Sequence, residues 1–260
     1  MQSYFSVIAK PFSVGVRIEH LQADIEKSLY GRFAGDPRLP RGEYRLSDTK
    51  SGRGVYTFCM CPGGTVVAAA SEAGGVVTNG MSRFARDGIN ANSAVAVTVR
   101  CSDYGNTPTA AIEFQRALEM KAFAAGGSDF TAPAQTVGNF LGKTEKNDVG
   151  RILPTYMGGR VKLTDFADIF PSYITDELRR GLLSFDGSLA GFADPDAVLT
   201  GTETRTSAPV RIQRGEDMRA LGHPDIYPCG EGAGYAGGIT SSAVDGLRAA
   251  LAIMERFAPV

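Results

Sequence analysis

Apolar residues recur at every second position in Phe12-Ser13-Val14-Gly15-Val16-Arg17-Ile18, the period of a strand with one buried face. The period then lengthens: Ile25 and Leu29 fall on one side of a helix predicted over 21–30, which Gly31 ends. Residues 35–54 are polar, hold two prolines and read as a surface loop with a short strand around Tyr44. Strands are predicted over 55–60, 65–70 and 94–100, and the Pro62-Gly63-Gly64 turn predicts that the first two form a hairpin. A long helix is expected over 109–125, capped by Thr107 or Thr109, with Ile112, Leu118 and Phe123 on its buried face and Gly126-Gly127 as its stop.

Two shorter helices follow at 165–170 and 175–183, around Pro171, and then extended segments at 198–205 and 210–212. Ile226-Tyr227 reads as a short strand that enters a glycine-rich turn and a last helix over 239–257. That helix carries the most regular stripe of the chain: Ile239, Ala243, Val244, Leu247, Ala250, Leu251, Met254 and Phe257 follow three-and-four spacing. Mixed strands and helices predict an α+β fold, closed by a strand-turn-helix unit of α/β type.

Charge narrows the partners. Lys+Arg total 27 and Asp+Glu 28, a net of −1, so no basic face for nucleic acid is expected. No apolar run approaches the roughly 20 residues of a membrane span, and the first residues lack the pattern of a signal peptide. Four cysteines are too few for a disulfide scaffold and, with His20 and His223, give no zinc spacing, so no metal and a reducing cytoplasm are expected. Cys59 and Cys61 read as buried small hydrophobes in preference to a redox dithiol, because a one-residue spacer suits a relaxed disulfide poorly. Both histidines read as loop or strand-end residues. Asn79, Asn90 and Asn92 fit either a polar pocket or turn and capping chemistry.

The 32 glycines gather most densely in Tyr227-Pro-Cys-Gly-Glu-Gly-Ala-Gly-Tyr-Ala-Gly-Gly-Ile239. Glycines there let the backbone approach a ligand, and the helix that follows presents free N–H groups and a partial positive charge. Thr240, Ser241 and Ser242 add hydroxyls in the same turn. Gly232-Ala-Gly234-Tyr-Ala-Gly237 matches the dinucleotide fingerprint by letter, yet no second strand follows the helix. The segment therefore cannot open a dinucleotide domain, although it can close one.

This loop, continued by Ser242-Ala-Val-Asp-Gly246, resembles the closing flavin motif of the uncharacterised FAD-dependent dehydrogenases. The likeness extends to Thr200-Gly-Thr-Glu-Thr-Arg-Thr-Ser-Ala-Pro-Val-Arg-Ile212, Ala132-Pro-Ala-Gln-Thr-Val-Gly138, Ile112-Glu-Phe-Gln-Arg116, Phe58-Cys-Met-Cys-Pro-Gly-Gly64, Val77-Thr-Asn-Gly-Met-Ser82, Asn90-Ala-Asn-Ser93 and Pro11-Phe-Ser-Val-Gly-Val-Arg-Ile-Glu-His20. It thus spans nearly the whole chain. Members of that family are about twice as long and begin with a Rossmann segment that holds the ADP half of FAD; no such segment precedes Pro11.

The resemblance implies the C-terminal part of an FAD-dependent oxidoreductase, with residues 1–193 as a substrate or cap domain and 194–260 as the return to the FAD-binding domain. It implies FAD as cofactor, an unknown small-molecule substrate, and a missing N-terminal FAD-binding segment in cis or in trans, with no nucleic-acid or membrane partner. Carried over, Gly230, Glu231, Gly232, Gly234, Gly237, Gly238, Ile239 and Thr240 contact the cofactor. Glu231 would lie near the ribityl or phosphate region, and the N–H groups near Gly238 and Ile239 at flavin N1 and the C2 carbonyl. Arg205, with Thr204, Thr206 and Ser207 in its turn and Arg211 nearby, faces the flavin or an anionic substrate. The alternative is a non-catalytic ligand-binding module or a truncated remnant without FAD. Without its sheet, the stripe over 239–257 is expected to cover another surface or to stay partly exposed and favour association.

Overall fold

The computed structural model describes residues 4–258. In chain order the strands are β1 Val7–Ala9, β2 Phe12–Leu21, β3 Ser47–Asp48, β4 Val55–Cys61, β5 Gly64–Ala68, β6 Thr78–Ser82, β7 Asn90–Val99, β8 Ala132–Thr136, β9 Val161–Leu163, β10 Val198–Glu203 and β11 Val210–Ile212. The α-helices are α1 Gln22–Tyr30, α2 Cys101–Tyr104, α3 Pro108–Gly126, α4 Val137–Phe140, α5 Ser172–Asp186 and α6 Ile239–Phe257. The fold is α+β. Its residues divide into two compact units: residues 4–13, 99–115 and 205–258 make the first, and 14–98 with 116–204 the second.

The second unit is built on a seven-stranded sheet of order β3-β4-β7-β2-β10-β8-β9. Only β8 and β9 run parallel among its recorded pairings. Strand β2 lies between β7 and β10 and is buried on both faces, not on one as its alternation predicts. Val14, Val16 and Ile18 take the apolar face, whereas Arg17 and Glu19 are equally buried opposite. Gly15 is required where β2 meets β7, because a Cβ there would stand 1.9 Å from the Val95 carbonyl oxygen. Helix α5 is amphipathic: Ile174, Leu178, Leu182 and Phe185 are buried at helical spacing, and Gly181 lets Val55 of β4 approach.

The buried polar face of the sheet carries a connected cluster. The Arg17 guanidinium donates to Asn92 Oδ1 at 2.5 and 3.1 Å, to the Cys59 carbonyl at 2.9 Å and to the Glu203 carboxylate at 3.3 and 3.5 Å. Gly80 of β6 covers it so closely that a Cβ would lie 2.0 Å from Arg17 Nη2. Burial pushes the Glu203 carboxyl up to about 7 against the opposing pull of Arg17. Glu19 accepts from Thr155 Oγ1 at 2.6 Å and from Asn90 Nδ2 at 2.9 Å, and burial raises its pKa as well.

The structure departs from the sequence pattern at several points. Strands β4 and β5 form no hairpin: β4 pairs with β7 and, at Val55 and Tyr56, with β3, whereas β5 takes β6 as its partner. The short strand expected around Tyr44 forms instead at Ser47–Asp48, because Tyr44 turns into the core and bonds Ser93 Oγ at 2.9 Å. On α3 the buried positions are Ala111, Gln115, Leu118, Glu119, Ala122 and Gly126, while Ile112 and Phe123 are half-buried; Thr107 Oγ1 caps its start at the Ala110 N–H. Asn90 and Asn92 are core strand residues and serve neither a turn nor an open pocket. His20 does lie at the end of β2, as expected, but is buried, with Nε2 2.8 Å from the Phe192 carbonyl, and burial holds its pKa below the usual value. Cys59 is exposed at φ 45°, in a β-bulge that breaks the two-residue alternation of β4, so it is no buried hydrophobe.

In the first unit β1 pairs antiparallel with β11, and α6 closes the chain. Helix α6 has the bounds that its periodicity predicts, but its apolar stripe faces outward: Ile239 is 90% exposed, Leu247 66% and Met254 66%. The buried positions of α6 are Asp245 and Ala249. Residues 226–229 form no strand. Pro228 has no N–H to donate, and the Ile226 and Pro228 carbonyls are engaged by Ala220 N–H and Arg214. Among the described residues no helix is long and apolar enough to cross a membrane, and no cluster of three His, Cys, Asp or Glu side chains could hold a metal ion.

Candidate functional site

The glycine-rich turn of the first unit is held from three sides. Arg211 of β11 donates Nε to the Gly234 carbonyl at 2.9 Å, and Tyr235 returns its hydroxyl to the Ile212 carbonyl at 2.9 Å. Arg214 grips Asp245 of α6 through two bonds of 2.7 and 3.0 Å and lies 3.6 Å from the centre of the Tyr235 ring. Asp245 Oδ2 also accepts the Gly230 N–H at 2.9 Å. Arg214 is the main cause of the low pKa of Asp245. This clamp fixes α6 to the start of the turn through a planar fork that lysine cannot reproduce.

Two glycines make that path possible. Gly230 and Gly234 lie at φ 75° and 87°, and a Cβ on Gly234 would stand 2.3 Å from the Val210 carbonyl oxygen. The others behave differently. Gly232 has no atom within 4 Å of its Cβ direction, Gly237 none nearer than Ser207 Cβ at 3.9 Å, and Gly238 none nearer than Ser241 Oγ at 3.7 Å. Their backbone is open to approach.

At the start of α6 Gly238 is the N-cap, and its N–H donates to Ser241 Oγ at 3.1 Å. The Ser242 N–H already bonds the Gly238 carbonyl at 2.9 Å. The N–H groups of Ile239, Thr240 and Ser241 are left at the helix end, where the intrahelical ladder offers no acceptor. Three backbone donors thus stand beside open glycines, at the end of a 19-residue helix whose dipole favours negative charge.

The charges around the turn are mixed. Lys10 donates Nζ to the Ala208 carbonyl at 2.9 Å; burial lowers its pKa, Arg211 adds to that shift and Glu231 opposes it. Glu231 is exposed as a residue, yet enough protein surrounds its carboxyl to push its pKa up, with Lys10 pulling it down. Arg205 follows β10 directly and is half-buried. Its turn meets the glycine segment through Ser207, opposite Gly237. The flanking hydroxyls expected to line that turn are spent inside the protein. Thr204 Oγ1 donates to Glu119 at 2.8 Å and Thr206 Oγ1 to the Ser13 carbonyl at 2.9 Å.

Gly230, Glu231, Gly232, Gly234, Gly237, Gly238, Ile239 and Thr240 therefore form one continuous, pinned surface segment. Within it Gly230 and Gly234 shape the path, whereas Gly232, Gly237, Gly238, Ile239 and Thr240 present it. Sequence reasoning missed Arg214, Asp245, Tyr235 and Lys10. The available signal was Asp245 itself, an acid set seven residues after the cap between the stripe positions Val244 and Leu247.

The family model described as FAD-dependent protein, C-terminal domain-like matches residues 11–206, ending before the glycine turn. An uncharacterized protein of Clostridium beijerinckii is 47% identical over 255 residues, which cover 97% of this chain and 48% of that protein. The chain spans about half the length of this curated relative.

Proposed function

The chain belongs to the FAD-dependent protein, C-terminal domain-like family, and from that premise we propose that it is the C-terminal portion of an FAD-dependent oxidoreductase. In this reading residues 1–193 supply the substrate or cap portion, and residues 194–260 rejoin the FAD-binding domain and close it as its last loop and helix. The observation that carries the proposal is the donor set at the start of α6, beside glycines with open Cβ directions.

The residues present fit a flavin. Gly232, Gly237 and Gly238 leave room for a planar group, and the N–H groups of Ile239, Thr240 and Ser241 are available to oxygen or nitrogen acceptors. When bound, FAD supplies hydride transfer to or from its N5 position, with the added charge spread toward N1 and the C2 carbonyl. The N–H groups of Ile239 and Thr240 would stabilise that charge by about 0.3–2 kcal/mol. With about 1.4 kcal/mol per 30 mV for two electrons, they tune a potential without creating the chemistry. Glu231 would contact the ribityl or phosphate region, with Lys10 restraining its charge. Arg205 would orient the cofactor or an anionic substrate, and Thr240 adds a hydroxyl at the same edge. The substrate is a small molecule. A reducing cytoplasm suits four cysteines that form no disulfide.

The outward stripe of α6 supports a partner segment that covers it. That partner is the N-terminal FAD-binding segment, in the same chain or in a separate one, and half of the curated relative lies outside its match to this chain. Co-expression with the unmatched part of the Clostridium beijerinckii protein tests the proposal. FAD is expected to co-purify with the pair and to be bound weakly by the 260-residue chain alone. A folded, stable pair that stays colourless in excess FAD would overturn it.

A further inference from the structure

The second unit holds a cleft of about 730 Å³ that the flavin reading does not use, between residues 43–47 and the outer half of β4. It opens because the two segments diverge. Leu46 and Thr57 are still tied, Leu46 N–H to Thr57 Oγ1 at 2.8 Å and Thr57 N–H to the Leu46 carbonyl at 2.8 Å. Beyond that point Tyr44 is drawn into the core by Ser93, while β4 bulges between Phe58 and Cys61. Arg17 fixes the bulge from beneath by holding the Cys59 carbonyl at 2.9 Å.

The lining is specific. Tyr56, Phe58, Met60 and Leu46 give half-buried aromatic and aliphatic walls, on an outward strand face where polar residues are the rule. Two charges border them. Glu43 is neutralised by Arg86, whereas the exposed Arg45 makes no salt bridge among the described residues. Cys59 lines the same space with an exposed thiol outside any disulfide. The volume lies in the range of small-molecule sites, and an arginine fork pairs best with a carboxylate.

We propose that this cleft binds a small aromatic carboxylate, with its ring between Tyr56 and Phe58 and its carboxylate on Arg45. Bound ligand covers the Cys59 thiol. The inference is independent of flavin binding, and its failure leaves that reading untouched.

Alkylation by iodoacetamide, followed at each cysteine by peptide mass spectrometry on the full chain, tests it with 2-naphthoate as probe. Saturating 2-naphthoate is expected to slow alkylation of Cys59 about tenfold and to leave the exposed Cys229 unchanged. In Arg45→Gln, an exposed substitution whose fold is checked by circular dichroism, the protection requires about tenfold more probe. Unaltered alkylation of Cys59, equal slowing at Cys229, or full protection retained in Arg45→Gln would each overturn the proposal.

Discussion

Replacing Arg17 with alanine is expected to destabilise the protein by about 4 kcal/mol at pH 8, among the largest effects of any single substitution in the second unit. Arg17 is fully buried, and its removal strands the Glu203 carboxylate, Asn92 Oδ1 and the Cys59 carbonyl at once. The penalty depends on pH, and its sign follows from Glu203. The folded-state pKa of about 7 lies above the ordinary carboxyl value of 4.5, so the group contributes stability that is fully present below about 4.5. That contribution, about 3 kcal/mol, is lost as pH rises to about 7. Arg17→Ala, which removes the cation opposing the upward shift, extends this loss to higher pH. Glu203→Gln removes the titration and flattens the profile. Urea unfolding between about pH 5 and pH 8 reads both. An Arg17→Ala cost under about 1 kcal/mol, or an unchanged pH slope in Glu203→Gln, would contradict the account.

Gly238→Val is expected to weaken FAD binding about 100-fold in the complemented pair while costing the chain no more than about 1 kcal/mol of stability through the poorer N-cap. The nearest atom to its Cβ direction is Ser241 Oγ at 3.7 Å, and its φ of −152° suits a β-branched residue. A Cβ there therefore starts at ordinary contact distance from Ser241 Oγ, and the side chain stands in the way of a ligand approaching the Ile239 and Thr240 amides. Gly234 supplies the contrast, since a side chain there collides with the Val210 carbonyl and disturbs the fold itself. Fluorescence titration of FAD with thermal unfolding of the same samples separates the two effects. Equal FAD affinity in Gly238→Val and wild type would exclude these glycines from the cofactor site.

Local chemistry made part of this architecture readable. Helix α6 was legible to the residue because Gly237-Gly238 and a long apolar stripe define it without help from distant chain. Strand β2 was legible as a strand but not as a central one, since its neighbour β10 and the Glu203 that pairs with Arg17 lie 186 residues on, and β6 covers its polar face. Strand β8 is not legible in the sequence because Ala132-Pro-Ala-Gln-Thr136 has no apolar alternation and contains a proline. The proline is tolerated because the β10 ladder registers only at Ala134, Gln135 and Thr136. The hairpin expected around Pro62-Gly63-Gly64 failed for a related reason: turn residues permit a reversal, but β4 bulges between Phe58 and Cys61 and β5 pairs along its length with β6.

The candidate site divides in the same way. Glycine density marked the turn, because backbone conformation is written in residue type. The clamp from Arg214 to Asp245 was invisible, because it joins residues 31 apart across a loop whose path is known only once folded. Arg205 rests on the family resemblance, whereas Arg211 and Arg214 are visibly engaged with the turn.

Hydrogen exchange at the amides of Ile239, Thr240 and Ser241 probes the donors themselves, in the complemented pair with and without FAD. Slower exchange at those three amides on addition of FAD, with Ala249 and its neighbours unchanged, is the expected result. Bound FAD that leaves their exchange rates as they were would contradict a cofactor held at the start of α6.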